Sequence, residues 1–363
     1  MLRKIRIALA TIFYVAITAL FLDFTGTLHA WLGWMAKIQF LPALLALNVG
    51  VVIALIALTL IFGRVYCSVI CPLGVMQDLI AWMGKKAKKN RYSYSPEKRW
   101  LRIGVLAIYG VSLILGGSVI AQLLAPYSAY GRIANNLLAP LYQWGNNGLA
   151  YLAERMGSYA FYETEVWIRS GVTFGIACAT LLIVGILAWR GGRTYCNTIC
   201  PVGTVLGYIA RFSWLKPVID TEKCNSCGLC QRNCKASCIN SKEKTIDYTR
   251  CVACMDCIGT CKKHGIAYKH VKATTVTASD ATGAQVDTSR RAFLATTAAV
   301  AATATIKAQE KKVDGGLAAI QDKVSPDRQT HLVPPGALSA RNFAKHCTAC
   351  QLCVSACPNG VLT

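Results

Sequence analysis

Four long apolar runs constrain the fold of this chain more than any other feature of its sequence. They lie near Ile5–Leu22, Leu41–Phe62, Ile103–Leu124 and Gly171–Trp189. A helix of roughly 20 apolar residues crosses the ~30 Å hydrocarbon core of a bilayer. With 54% hydrophobic residues, 15% charged residues and a mean hydropathy of +0.40, the chain is too apolar for an ordinary soluble protein of its size. We therefore predict a mainly α-helical fold, with a four-span membrane bundle over residues 1–219.

Basic residues predict the orientation of that bundle. Arg3, Lys4 and Arg6 precede the first run, and eight Lys or Arg residues lie between positions 85 and 102. Residues 23–40 hold one Lys, whereas residues 125–170 balance three Arg against three Glu. Basic residues stay on the cytoplasmic side, so both ends of a multi-pass bundle in a bacterial inner membrane should be cytoplasmic. Contact with anionic membrane lipid then accounts for much of the net charge of +22, and nucleic-acid binding is not expected.

A cysteine motif occurs twice, once after the second apolar run and once after the fourth. Gly63–Gly74 reads GRVYCSVICPLG and Gly192–Gly203 reads GRTYCNTICPVG, which indicates two duplicated two-span units. Cysteines four residues apart share a helix face, and N–H groups at a helix N-terminus favour thiolate. The duplication therefore predicts that the motif cysteines meet near a pseudo-twofold axis: Cys67, Cys71, Cys196 and Cys200.

The chemistry of this twin motif has two interpretations. The four cysteines are either ligands of a metal site at the membrane surface or a redox-sensitive pair of thiols without metal. Arg64 and Arg193 are expected to neutralise the thiolates or to bind lipid phosphate. Cys178 stands alone within the fourth run and is expected to be a small buried apolar residue.

Residues 220–269 carry the cysteine pattern of a bacterial two-cluster ferredoxin. The spacing C-x2-C-x2-C-x3-C occurs twice, and in such proteins the fourth cysteine of each run binds the other cluster. We predict two cytoplasmic [4Fe–4S] clusters, with a pair of zinc sites as the alternative. The first cluster would use Cys224, Cys227, Cys230 and Cys261, and the second Cys251, Cys254, Cys257 and Cys234. The additional Cys238 aligns with Gly265 and is expected not to be a ligand.

The C-terminal fifth of the chain contains a third cysteine run. Residues 270–288 have the composition of a linker. Residues 289–308 open with Ser-Arg-Arg-Ala-Phe-Leu, which resembles a twin-arginine export signal; a basic pair opening an ordinary helix is the alternative. The ferredoxin-like segment 309–363 is then extracytoplasmic, with one more cluster expected on Cys347, Cys350, Cys353 and Cys357. Either Cys357 closes a single cluster locally or, as we favour, the chain is a piece of a longer protein.

The twin motifs on a four-span bundle, followed by a two-cluster ferredoxin, resemble one family over residues 1–269. That family of polytopic membrane ferredoxin proteins includes NapH, NosR and CcoG. The resemblance implies a helical membrane bundle with cytoplasmic clusters that moves electrons at or across the membrane. It also makes a quinone, menaquinone or ubiquinone, a candidate cofactor or partner.

We accordingly expect an electron-transfer protein that connects a quinone or cytoplasmic donor with an extracytoplasmic acceptor. Redox partner proteins would lie on both sides of the membrane. An assembly or metal-reducing factor and a redox-sensing regulator are the alternatives. No catalytic residue is predicted, and any enzymatic role would be that of a quinol-dehydrogenase subunit.

Overall fold

The computed structural model describes residues 2–23, 27–88, 92–114, 118–156, 163–164, 166, 171–270, 347–348, 350 and 352–355. The described residues belong to one compact unit. They form a mainly helical protein with a small ferredoxin-type domain. The predicted export signal, with Arg290 and Arg291, and the predicted ligand Cys357 lie outside the described residues.

The helices are short except for a few that follow the apolar runs. In chain order they are α1 (Leu2–Leu22), α2 (Thr27–Leu32), α3 (Trp34–Lys37), α4 (Phe40–Leu45), α5 (Val49–Phe62), α6 (Pro72–Lys88), α7 (Arg99–Ile114), α8 (Ser118–Leu124), α9 (Pro126–Ile133), α10 (Ala139–Arg155), α11 (Gly171–Gly191), α12 (Thr194–Thr198), α13 (Pro201–Ala210), α14 (Leu229–Arg232), α15 (Asp256–Thr260) and α16 (Leu352–Ser355). Two π-helical turns, Tyr66–Ile70 and Ala134–Leu138, complete the helical part.

Among the described residues, two helices are long and apolar enough to cross a membrane, namely α1 and α11. Both present large apolar side chains to the outside, such as Ile12 on α1 and Leu182 on α11, as helices in contact with lipid would. The second predicted span is divided between α4 and α5, because Leu47 adopts a φ of 52° and the Asn48 side chain caps α5. The third predicted span is described as α7 and α8, on either side of residues 115–117. Helix length thus supports two of the four predicted spans.

The core lies between these helices and around α9, all of whose residues are buried. Tyr130 of α9 packs against Phe21 of α1 at a ring distance of 6.0 Å and meets the Thr18 hydroxyl at 2.5 Å. On α11, the predicted burial of Cys178 was wrong, because its side chain is only half-buried on a helix with an open apolar face.

The ferredoxin-type domain follows α13 and contains two small antiparallel sheets. Strand β1 (Leu215–Ile219) pairs with β4 (Ile266–His270), and β2 (Ile239–Asn240) pairs with β3 (Thr245–Ile246). Because β1 precedes Asp220, the paired structure begins five residues before the predicted boundary. The β1–β4 pair joins the two ends of the domain, which places both cysteine runs between them.

Candidate functional site

Each copy of the twin motif folds as a short helical turn, an extended cysteine and a longer helix. In the first copy the π-helical turn Tyr66–Ile70 ends at Cys71, and α6 begins at Pro72. In the second copy α12 precedes Cys200, which is extended and caps α13. A proline drives the residue before it toward extended backbone and suits a first helical turn. The two cysteines of each copy therefore lie on either side of a break, and the second of them stands at the start of the longer helix.

The structure brings the four motif cysteines together in the protein interior. Cys67, Cys71, Cys196 and Cys200 are each at most 4% exposed. Burial raises the pKa of the Cys71 thiol, and the neighbouring Cys196 and Cys67 raise it further. Burial also raises the pKa of Cys200, with the other three thiols adding to the effect. Four thiols this close and dry can ionise together only if positive charge compensates them.

Hydrogen-bond donors face all four sulfur atoms. Gln77 Nε2 donates to Cys196 Sγ and the Gly203 N–H donates to Cys200 Sγ, both at 3.3 Å. Arg64 Nη2 donates to Cys67 Sγ at 3.8 Å. The Gly74 N–H donates to Cys71. Donors of this kind stabilise thiolates, so the chemistry of the site suits a metal that binds sulfur.

The motif arginines cross over between the two copies. Arg64 Nη2 donates to the Cys196 carbonyl at 3.1 Å, and Arg193 Nη1 donates to the Cys67 carbonyl at 2.5 Å. Both arginines are fully buried. The expectation that they bind lipid phosphate was therefore wrong, whereas Arg64 does face a motif sulfur.

The final glycine of each motif leaves room for this crossing. A Cβ added at Gly74 would lie 2.3 Å from the Cys67 carbonyl oxygen and 2.6 Å from Arg193 Nη1. At Gly203 the corresponding distances are 2.2 Å to Cys196 O and 2.8 Å to Arg64 Nη2. The motif therefore needs Gly at its end because the other copy's arginine passes there.

The ferredoxin-type domain lies directly against the twin motif. Arg64 Nη1 donates to the Thr249 carbonyl at 3.3 Å, and the Arg193 N–H donates to the Lys235 carbonyl at 2.8 Å. Thr249 and Lys235 stand close in sequence to Cys251 and Cys234, both predicted ligands of the second cluster. A hydrogen bond with Cys238 lowers the pKa of the Cys251 thiol, and the charge of Arg64 adds a smaller effect in the same direction. Arg64 thus contacts a motif sulfur and the backbone beside a predicted cluster ligand.

A buried ionic network strengthens the same contact. Asp78 on α6 accepts from Arg193 Nε at 2.8 Å and from Arg6 Nη1 at 3.1 Å, and lies 3.5 Å from Lys235 Nζ. Lys235 also pairs with Asp256 at 3.0 Å. Burial alone would raise the pKa of Asp78, but Arg193, Lys235 and Arg6 outweigh it and hold that pKa well below its usual range. Asp78 is therefore an anion that joins the bundle and the ferredoxin-type domain.

The backbone of the ferredoxin-type domain repeats itself around the two cysteine runs. Left-handed backbone occurs at matching places in the two halves: Ser226, Gly228 and Ser237 in the first, Ala253, Met255 and His264 in the second. Such residues make tight turns whose N–H groups converge on an anion, and the Gly265 N–H reaches Cys261 Sγ at 3.3 Å. This geometry fits a pair of thiolate-bound clusters related by a pseudo-dyad.

The two predicted ligand sets differ in exposure. Cys227 of the first set is exposed, whereas Cys234, Cys254 and Cys257 of the second are at most 9% exposed. Within the described residues no three His, Cys, Asp or Glu side chains converge as they would around a single metal ion. A cubane cluster holds its four thiolates farther apart than one ion does, since each binds a different iron.

Cys238 lies beside the more buried ligand set. Its sulfur is 3.5 Å from Cys234 Sγ and also contacts Cys251, and the residue is 1% exposed. From its alignment with Gly265, Cys238 was expected to be only a small residue that enters a strand. Its contact with two predicted ligands is visible only in three dimensions.

The third cysteine run lies at the other end of α1. Arg3, at the start of α1, pairs with Asp256 of the ferredoxin-type domain at 2.8 Å. Cys350 and Leu352 pack instead on the core cluster that contains Phe21, near the end of this 21-residue helix. A helix of that length spans about 31 Å. Cys347 and Cys353 are described beside Cys350.

Sequence reasoning missed Gln77, Asp78 and Asn197, which hold the twin motif through side-chain hydrogen bonds. Asp78 does carry a signal, because it is the only acidic residue between Gly63 and Asn90, in a segment rich in lysine. Nothing in the sequence marks Gln77 or Asn197 as structural residues, since polar residues on a helix are usually solvated.

Comparison with known proteins points to the same two regions of the chain. A family profile described as a 4Fe-4S binding domain matches residues 44–90 and 172–219, each containing one copy of the twin motif. YccM of Escherichia coli is 27% identical over 61% of this chain and 55% of its own length. The ferredoxin-type protein NapH of the same organism is 25% identical over 61% of this chain and 67% of its own length.

The regulatory protein NosR of Stutzerimonas stutzeri is 25% identical over 54% of this chain, although only 23% of NosR is covered. The chain spans about half the length of several curated relatives that it matches. No solved structure is significantly similar to it. The resemblance to NapH/NosR-like ferredoxin-type proteins that the twin motifs indicated is thus confirmed.

Proposed function

We propose that the protein is a membrane-bound iron–sulfur electron-transfer protein. It would relay electrons between a quinone or cytoplasmic donor and an extracytoplasmic acceptor. One observation carries the proposal: Arg64 donates to the Cys67 sulfur of the twin motif and to the carbonyl of Thr249, two residues before the predicted ligand Cys251. Electron transfer requires redox centres close together in a dry, rigid interior, which this contact supports.

Two [4Fe–4S] clusters are proposed in the ferredoxin-type domain, on the ligand sets predicted from the sequence. When bound, such clusters supply one-electron transfer at potentials that the protein environment sets. The exposed Cys227 makes the first set the side that a soluble partner can approach. The buried second set, beside Thr249 and Lys235, faces the bundle.

For the twin motif we favour a further metal site over a metal-free thiol pair. Burial raises the pKa of Cys71 and Cys200 although each sulfur has a hydrogen-bond donor, and two buried guanidinium groups supply only part of the charge that four thiolates need. A bound metal cluster, which holds its thiolates farther apart than a single ion does, would supply the remainder. Arg64 and Arg193 hold the cysteine carbonyls in place, and the surrounding helices exclude water.

The proposed location is a bacterial inner membrane, with the ferredoxin-type domain cytoplasmic and the third cysteine run outside. Helices α1 and α11 supply the apolar length. Exposed tryptophans support two membrane interfaces, because Trp82, Trp100 and Trp214 lie near the ferredoxin-type domain and Trp31 and Trp34 follow the other end of α1. The basic residues predicted to be cytoplasmic include Arg3, which pairs with that domain.

A second candidate function is an assembly or metal-reducing factor. The observation that favours it is the twin motif itself, since four enclosed thiols with donors could hold a metal in transit. A relay would keep its metal through many redox cycles, whereas a transit site would release it.

The test is reduction of the purified full chain by a quinol analogue, followed through bleaching of the iron–sulfur absorbance. A relay predicts bleaching within the time of mixing and recovery with an oxidant, without loss of iron. Cys67→Ser and Cys196→Ser should slow bleaching equally, because each removes one ligand from a symmetric site. Fast bleaching in both variants would exclude the twin motif from the relay. Release of iron on each cycle would favour the assembly factor.

A further inference from the structure

The C-terminal cysteine run rests on a defined part of the bundle. Gln122 Nε2 of α8 donates to the Cys347 carbonyl at 3.3 Å, and the Ser128 hydroxyl of α9 donates to the Thr348 carbonyl. Ser128 is fully buried and Thr348 is 9% exposed. Consecutive backbone carbonyls of the run are thus held by side chains from two different helices.

Gly131 makes the third contact. A Cβ added at Gly131 would lie 2.1 Å from the Cys350 carbonyl oxygen and 3.0 Å from the Phe21 ring. The run therefore approaches α9 closely because this residue has no side chain. Cys350 and Leu352 then pack against the core cluster that includes Tyr127 and Tyr130.

We propose that Gln122, Ser128, Gly131 and Tyr127, with Phe21 of α1, form an intramolecular docking seat for the described residues Cys347, Thr348, Cys350 and Leu352 of the third cysteine run. The seat holds the run through the backbone carbonyls of Cys347 and Thr348, the close approach of the Cys350 carbonyl to Gly131 and the packing of Cys350 and Leu352 on the apolar core.

The seat would also hold the third cysteine run at a fixed position relative to the twin motif. Tyr195, next to the motif residue Cys196, donates its hydroxyl to the Leu124 carbonyl at 3.2 Å. Leu124 lies three residues before Tyr127, so the second copy of the twin motif bonds to the same stretch of chain that forms part of the seat. This part of the inference rests on the proposed function, whereas the docking itself does not.

Hydrogen–deuterium exchange of the full chain in detergent tests the docking. In Gly131→Ala, peptides covering residues 347–355 should exchange about tenfold faster, since the added methyl displaces the Cys350 carbonyl. Gly145→Ala on α10 is the matched control, because nothing lies within 4 Å of a Cβ added there, and its exchange should equal that of the wild type. Ser128→Ala, which removes a donor without adding bulk, should give a smaller acceleration confined to the same peptides.

If Gly131→Ala also accelerates exchange in α1 and α11, the bundle itself has loosened and Ser128→Ala decides. The seat is disproved if residues 347–355 of the wild type exchange as fast as an unstructured peptide, or if Ser128→Ala leaves them unchanged. Because exchange is measured without electron flow, a failed quinol experiment would remove the proposed function and leave the docking standing.

Discussion

The most informative single residues are the two motif arginines, because the arginine of each copy of the twin motif bonds to the other copy. Arg64 and Arg193 would be read from sequence as surface charge at a membrane face, yet both are buried and bond to backbone carbonyls. A carbonyl acceptor leaves no trace in the sequence, because every residue has one. Sequence reasoning therefore found the cysteines and the contact of Arg64 with a motif sulfur, but it missed the carbonyl acceptors of both arginines.

Replacing Asp78 should test the ionic network. Asp78→Asn leaves Arg193 buried without its counter-charge, which should lower the free energy of unfolding by about 3 kcal/mol at neutral pH. Since the folded pKa of Asp78 is depressed, the stabilisation is complete above the unfolded pKa of ~3.9 and is lost as pH falls below it. The difference in the free energy of unfolding between wild type and variant should thus be constant from about pH 5 to pH 8 and should disappear in acid.

Circular dichroism during thermal unfolding across that pH range would measure this difference. Glu222→Gln, the same chemical change at an exposed position, should leave the transition unchanged. A difference that widens in acid would show that Asp78 is not the anion we describe.

Cys238 and Cys234 form a matched pair for testing the proposed ligands, since their sulfur atoms are 3.5 Å apart. Cys238→Ala should keep about eight irons in the ferredoxin-type domain, and Cys234→Ala should leave about four. Iron analysis of the purified domain, residues 215–270, would decide, with zinc measured in parallel. Equal loss from both variants would make Cys238 a ligand, and zinc in place of iron would refute the clusters.

Among the helices, sequence prediction succeeded where a proline marks the start of the helix. The duplicated motif correctly predicted that four cysteines meet. Pro72 and Pro201 also mark the starts of α6 and α13 as expected. The same prolines separate the second cysteine of each pair from the short helical turn that holds the first. The division of the second apolar run at Leu47 has a weaker signal, because Asn48 begins α5 from within an otherwise apolar stretch.

The final glycines of the two motif copies should respond alike to substitution. Gly74→Ala and Gly203→Ala each place a methyl against a carbonyl and an arginine, and overpacking of this kind costs about 1–3 kcal/mol. Gly104→Ala on α7 meets nothing within 4 Å and should be neutral or slightly stabilising. Thermal unfolding of the three variants in one detergent gives the comparison. A large difference between Gly74 and Gly203 would contradict the symmetry of the crossing.

At the scale of the whole molecule, the two ends of α1 carry different cysteine groups. Arg3 contacts the ferredoxin-type domain, and the seat of the third run includes Phe21. This arrangement supports placing the two groups on opposite sides of a membrane. Composition predicted the membrane and the cysteine spacing predicted the clusters. The packing of the tail on α9 could not be predicted, because its contacts are to backbone carbonyls.

Export of the tail should depend on the arginine pair at positions 290 and 291. Arg290→Lys with Arg291→Lys keeps the charge but loses the guanidinium geometry, so the domain with Cys347–Cys353 should remain inside the cell. Protease accessibility of the tail in spheroplasts would measure this, with Arg328→Lys plus Arg341→Lys as a control of equal chemistry. A tail that stays accessible in the first variant would disprove twin-arginine export.

The crossing of the arginines also has a consequence for the order of events during synthesis. Arg64 leaves the ribosome 132 residues before Cys196, whose carbonyl it will bind. At ~5–20 residues per second the first motif copy must wait roughly 7–26 s for the second. During that interval a cation and two thiols stand at the membrane surface without their final neighbours. Nascent chains released before residue 196 should therefore be prone to degradation, and a gene encoding only the first half should yield little protein.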